Sequence, residues 1–233
     1  MSIEDALSAA DRLRGEARVF TRFGDLSRAH QLLTGLVTSL AKFLNGDDDR
    51  STSEHGDFER PTSRHAIAVR LADTYGMIGG IECRQGNFDK ALEAYRSGRR
   101  LEQDRQYGLS DSYNLTNTFV VALIIDSSHL EEMQDDIRKA VEAVGRQVDG
   151  ERRNQWWAWA DYGLLCLLEG ETSEASRAYH RFAACGPAAS DFASVRRVLD
   201  SLANAVSLTD EAKADEIRNE MRELESIAEA TQD

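Results

Sequence analysis

The chain has 233 residues, of which 41% are hydrophobic and 30% charged. That is enough apolar material for a buried core and argues against a wholly disordered chain. Only two prolines are present and the formal net charge is −13, with a pI near 4.9. So few helix breakers exclude a many-turned sandwich or barrel, and the acidic balance disfavours nucleic acid and anionic membrane surfaces as main partners.

Apolar periodicity predicts ten helices, at 3–21, 25–44, 62–84, 88–105, 110–125, 130–148, 152–169, 173–184, 190–207 and 210–231. Most connections are two to six residues long, which makes sequential helices antiparallel neighbours. Gly24 with Asp25 separates the first two helices, Gly86 with Asn87 the third and fourth, and Gly170 the seventh and eighth. Ser190 is expected to cap the ninth helix, with Asp191 in its first turn, and Thr209 to cap the tenth. Residues 46–61 hold a run of charges and little hydrophobicity, and are expected to be an acidic flexible loop.

Charge is uneven along the chain. Residues 210–233 carry nine acids and three bases, whereas residues 1–45 carry six bases and five acids. Arginine supplies 24 of the 28 bases, a skew expected of a GC-rich bacterial genome. Cys83, Cys166 and Cys185 form no metal-binding or paired pattern and read as reduced thiols, consistent with a cytoplasmic location. The first residues, MSIEDALSAADRLRG, have acids and no apolar run, so no signal peptide is expected.

The hairpin pattern repeats. Tyr75, Ile78, Gly79, Gly86, Phe88, Ala91, Tyr95 and Gly98 stand at the spacing of a tetratricopeptide (TPR) repeat, with Glu82 where that family usually has an aromatic residue. A second set is Trp159, Tyr162, Gly163, Cys166, Gly170, Ala175 and Tyr179, with Phe182 in place of the last small residue. Two weaker sets begin at Leu13 and Tyr113. On these residues the chain resembles the TPR family over about residues 10–185.

The resemblance implies an all-α fold: a right-handed α-solenoid of antiparallel helix hairpins in a single domain, with 190–231 as a C-terminal capping pair. It also implies a non-catalytic protein- or peptide-binding module, an adaptor or scaffold within a cytosolic bacterial assembly, with no cofactor and no metal. The alternatives are a ligand-gated regulatory module sensing a small molecule or short peptide, and a homo-oligomeric scaffold joined through the last helix.

Carrying the family's groove positions onto this chain gives Arg14, Arg18, Arg22, Arg84, Asn114 and Trp157 as partner-binding residues. The stripe Arg14, Arg18, Arg22 also follows from helical spacing alone, since residues four apart share a face. Such a stripe either binds an acidic or amphipathic segment or is a solvated face paired with acids such as Asp11 and Glu16. The Asn114 amide suits a peptide backbone. Trp156, Trp157 and Trp159 cannot all share one helix face, so one of the first two is either an exposed anchor or packs on the next hairpin. His55, His65, Asp57 and Glu59 gather near the acidic loop but match no metal-ligand spacing.

Overall fold

The computed structural model describes residues 2–45 and 60–230. The expected acidic loop lies outside them except for Arg60 and Pro61, which open a helix. The described residues form ten α-helices and one 3-10 turn and contain no strand. The chain is all-α, and it divides into two compact units, Met1–Asn114 and Leu115–Asp233.

The first unit holds α1 (Ile3–Arg22), α2 (Leu26–Leu44), α3 (Arg60–Arg84) and α4 (Phe88–Gln103). Helix α2 packs on both α1 and α3, α1 also touches α3, and α3 packs on α4. Its apolar residues gather in two clusters, one around Ala10, Leu36, Leu40, Ile67 and Leu71 and one around Ala17, Ala29, Leu33 and Ile81.

The second unit holds most of α5 (Tyr113–Ile125), the 3-10 turn Ser127–His129, α6 (Leu130–Asp149), α7 (Trp156–Glu169), α8 (Thr172–Ala184), α9 (Ala189–Val206) and α10 (Glu211–Ala230). There α6 packs on α7, α7 on α8, and α10 on both α8 and α9. One cluster fills it, with Leu165, Leu167, Leu168, Phe182, Leu202, Ile217 and Leu224 almost fully buried.

The hairpin turns repeat one hydrogen-bonding device. Gly86 has φ +75°, and behind it the Asn87 N–H donates to Glu82 O at 2.9 Å. Gly24 and Gly170 do the same, with Asp25 N–H on Phe20 O and Glu171 N–H on Cys166 O, both at 2.9 Å. A left-handed residue followed by this backward bond ends a helix and satisfies its last carbonyls, and glycine adopts that φ without steric cost.

Side-chain packing makes α3–α4 and α7–α8 two copies of one hairpin. A Cβ on Gly79 would lie 2.6 Å from the Tyr95 ring, and a Cβ on Gly163 would lie 3.0 Å from the Tyr179 ring. Ala91 and Ala175 are fully buried at the matching position of the second helix. Glycine on one helix is the floor on which a tyrosine of the other lies, so the backbones approach closely. These are TPR-like hairpins, and the glycine, alanine and tyrosine keep one constant offset in sequence. In α1–α2 the same positions carry Ala17, Ala29 and Leu33, all fully buried; a smaller ring-free residue sits on a slightly larger floor.

Several boundaries differ from the sequence expectation. Helix α5 starts at Tyr113 rather than at 110, because the Asp111 carboxylate accepts the Ser112 N–H at 2.7 Å and the Tyr113 N–H at 3.2 Å. Helix α7 starts at Trp156 rather than at 152. The turn before it is held by Arg152, which is 2% exposed and donates to Gln147 Oε1 at 2.7 Å and to Gln155 Oε1 at 2.8 Å. Ser190 does not cap α9: the cap is Ala188, whose N–H reaches Asp191 Oδ2 at 2.8 Å. Thr209 does not cap α10 either. Asp210 accepts the Lys213 N–H at 3.0 Å, and Thr209 Oγ1 instead bonds Ser127 Oγ at 2.9 Å.

Candidate functional site

Helices α1 and α3 of the first unit bring the first arginine of the expected stripe against Asp11, one of the acids expected to pair with it, and against Asp73 of α3. Arg14 Nη1 lies 2.9 Å from Asp73 Oδ2, and Arg14 Nη2 lies 3.8 Å from Asp11 Oδ1. Arg70 Nη2 donates to Asp11 Oδ2 at 3.0 Å. Only 12% of the Arg14 side chain remains exposed. Burial pushes the Asp73 carboxyl above its ordinary range; Asp111 adds to this, while Arg14, Arg18 and Arg70 pull it back. Desolvation outweighing three cations marks a half-dry charge network, where removing one member strands the others.

Arg14 is therefore a structural member of the α1–α3 contact and not an open element of a binding stripe. Glu16, the other acid expected to neutralise the stripe, instead faces Arg12, 2.6 Å away. Arg18 and Arg22 are exposed on α1, and Arg84 is exposed at the last residue of α3. None of these three makes an ion pair among the described residues. Two-thirds of the stripe is thus open, and one-third is spent on packing.

Asn114 does not face a groove. It is 1% exposed, and a Cβ on Gly98 would lie 2.3 Å from its Cγ. Its Nδ2 donates to Glu102 Oε1 at 2.6 Å and to Ala72 O at 3.1 Å, while its N–H reaches the same Glu102 oxygen at 3.0 Å. The side chain that suited a peptide backbone binds the chain's own backbone. Beside it, the Tyr113 ring lies over Gly76 and meets Tyr95 edge-on at 6.1 Å.

Trp157 belongs to the second unit and is 39% exposed. It meets Trp156 edge-on at 5.5 Å, and Trp156 meets Phe182 at 5.9 Å. Trp159 is half-buried and donates its indole N–H to Arg153 O at 2.8 Å. Trp157 is thus the tryptophan left open, and Trp156 links it to the core.

Glu82, the residue that breaks the repeat pattern, is 4% exposed. His30 Nε2 lies 2.9 Å from its Oε1, and Asn87 Nδ2 donates to its Oε2 at 2.8 Å. A carboxylate satisfied from α2 and from the α3–α4 turn occupies the aromatic site. His65 Nδ1 lies 2.6 Å from Tyr107 O; His55, Asp57 and Glu59 lie outside the described residues. Burial raises all three thiols, Cys166 to about 12, which favours the protonated form over the nucleophilic thiolate, and Cys166 packs in the core of the second unit. No three potential metal ligands gather among the described residues, and no helix among them is long and apolar enough to cross a membrane.

Sequence reasoning missed Val19 and Phe23, which are 52% and 81% exposed on the outer side of α1 and at its end. The signal was two apolar residues four apart beside the arginine stripe. It was absorbed into the general periodicity of the helix.

No family model matches the chain, and no curated protein matches it. Among solved structures it is similar to a putative kinesin light chain of Podosopora anserina with nearly identical TPR-like repeats: 18% identity, 97% of this chain and 96% of that one covered, TM-score 0.39. It is also similar to BtubC (BKLC) from P. vanneervenii, at 17% identity, 97% and 92% coverage and TM-score 0.36. A third is the TPR2AB-domain:pHSP90 complex of yeast Sti1, at 14% identity, 94% and 99% coverage and TM-score 0.22. All superpose loosely, so the internal Gly79–Tyr95 and Gly163–Tyr179 packing, not the neighbours, identifies the hairpins here.

Proposed function

We propose that the protein is a non-catalytic protein-binding repeat module, an adaptor in a cytosolic bacterial assembly, and that the first unit binds an acidic segment of its partner. The observation that carries this reading is the pair Arg18 and Arg22. They lie one turn apart on α1, exposed and without an ion pair among the described residues, in a chain of net charge −13. Some surface cations are matched locally, as Arg138 is by Glu169 and Asp135, and Arg218 by Glu211 and Asp215, while others such as Arg96 and Arg146 make no ion pair among the described residues. Unmatched arginines on an acidic protein favour encounter with an acidic partner and reject basic ones.

The last helix is a poor dimerisation surface in this reading. Its apolar residues Ile217 and Leu224 are spent in the core of the second unit. The raised thiols favour packing over chemistry.

Affinity capture from the native host, followed by isothermal titration of the recovered partner, tests the proposal. Arg18→Ala/Arg22→Ala should keep the wild-type helix content and lose at least about tenfold in affinity, with a weaker salt dependence. Wild-type affinity in the double variant overturns it. Arg14 is left out of the variant because its loss would strand Asp73 in the α1–α3 contact.

A further inference from the structure

Rows of residues four apart run along α1. One row is Gly15, Val19 and Phe23, and the row beside it is Arg14, Arg18 and Arg22. Val19 and Phe23 face solvent, and a Cβ built on Gly15 meets no atom within 4 Å. The row therefore runs from an open notch to a valine to a phenylalanine. On the far side, Arg12 is paired with Glu16, and the Arg28 guanidinium lies 4.3 Å from the centre of the Phe20 ring.

Nothing in the fold requires this apolar row. The Phe23 N–H donates to Val19 O at 3.1 Å, a backbone bond that any residue except proline makes. Its ring adds no core contact. Arg18, Arg22 and Arg28 surround the row, and none makes an ion pair among the described residues. The carboxylate of Asp25, the acid at this turn, accepts the Arg28 N–H at 3.1 Å and so is engaged as a helix cap.

We propose that this face of α1 docks an acidic amphipathic helix of a partner protein. The partner's apolar residues lie on the Gly15–Val19–Phe23 row and its carboxylates on Arg18 and Arg22. The sign of the partner's charge follows from the arginines. Its helical form follows from the period: an apolar ridge with a notch at Gly15, flanked by a charged row, packs into the groove of a second helix. A second copy of this chain fits poorly. The exposed face of its own acidic helix, α10, carries Ala212, Asp215, Asn219, Arg222 and Ser226 and offers no large apolar side chain. The inference rests on the proposed partner-binding role of Arg18 and Arg22, and adds the apolar contact and the helical form.

The test is selection of a displayed library of short helical peptides, of random charge and apolar spacing, against the full chain. Enriched peptides are then titrated against wild type, Val19→Ser/Phe23→Ser and Arg18→Glu/Arg22→Glu. All four positions are exposed, and circular dichroism with melting confirms folding. The expected result is enrichment of acidic peptides with apolar residues one turn apart, and at least about tenfold weaker binding in both variants. Acidic peptides that lose affinity only in the arginine variant overturn this inference and leave the proposed function standing. Peptides indifferent to both variants, or without acidic bias, overturn both. Concentration-dependent self-association of the wild type that Phe23→Ser abolishes also overturns the inference, by making a second copy the occupant.

Discussion

The first hairpin and the last solve the problem of an outer surface in opposite ways. Along α9 and α10 the large apolar residues turn inward: Leu199, Leu202, Val206, Ile217 and Leu224 are almost fully buried, and the exposed face of α10 is small and polar, although Leu208 in the turn between the two helices is 84% exposed. That is the surface of a helix pair that closes a repeat array. In α1 the buried positions are all small, Ala6, Ala10 and Ala17, and the leucines of this hairpin's core, Leu33, Leu36 and Leu40, come from α2, while Val19 and Phe23 remain outside. A helix that hides alanines and shows Val19 beside Phe23 is a surface awaiting a cover, whereas α10 is a cover. Isolated exposed apolar residues are ordinary; two on one row beside unpaired arginines are not.

Removing the inward face of the last pair sharpens this contrast most. Leu224→Ala should cost about 2–5 kcal/mol, since the leucine is 1% exposed in a packed cluster. Thermal melting checks it, and a loss no larger than that of an exposed substitution would deny α10 its closing role. Next, Gly79→Leu should cost about 1–3 kcal/mol or more, because its first added atom already collides with the Tyr95 ring. An unchanged melting temperature would mean that the hairpins are not locked at this crossing.

A pH-dependent effect distinguishes the last pair from the first. Glu220 on α10 is 8% exposed, its Oε2 has no hydrogen-bond partner, and burial pushes its carboxyl up to about 7. The neighbouring Glu223 pushes the same way, and His180 opposes it. The unfolded chain ionises this group near 4.5, so the folded state holds the extra proton between those values. Stability on this account is greatest below about pH 4.5, declines through about pH 7, and is flat above it. Glu220→Gln should therefore raise stability by about 1–2 kcal/mol at pH 8 and by little at pH 4.5. Denaturant melts at the two pH values measure the difference, and an equal effect at both would show that the group is not buried as a proton-holding acid. Smallest of all, Val19→Ser/Phe23→Ser should leave the melting temperature within about 1–2 °C of wild type. A large loss would place these residues in the core and undo the contrast between the two hairpins.

The sequence by itself determined the local order. Periodicity located all ten helices, and glycines at 24, 86 and 170 marked the turns. The recurrence of Gly, Ala and Tyr at one offset gave the hairpin, because close approach of two backbones demands a missing side chain at a fixed place. The open tryptophan and the exposure of Arg18, Arg22 and Arg84 were also consistent with helical spacing.

Partnership across helices was decided only by the tertiary structure. Arg14 looked equivalent to Arg18 and Arg22, yet α3 brings Asp73 and Arg70 to it and to Asp11, and nothing local foretold that pairing. Asn114 looked like a groove amide until the glycine floor at Gly98 and the Glu102 carboxylate drew it inside. Glu82 broke the repeat and was still satisfied, by His30 from a different helix. Each of these contacts joins residues distant in sequence, and one-dimensional spacing carries no information about which charge or donor lies across an interface. The exposure of Val19 and Phe23 is of the same kind: a helix shows which residues share a face, and only packing shows whether that face is covered.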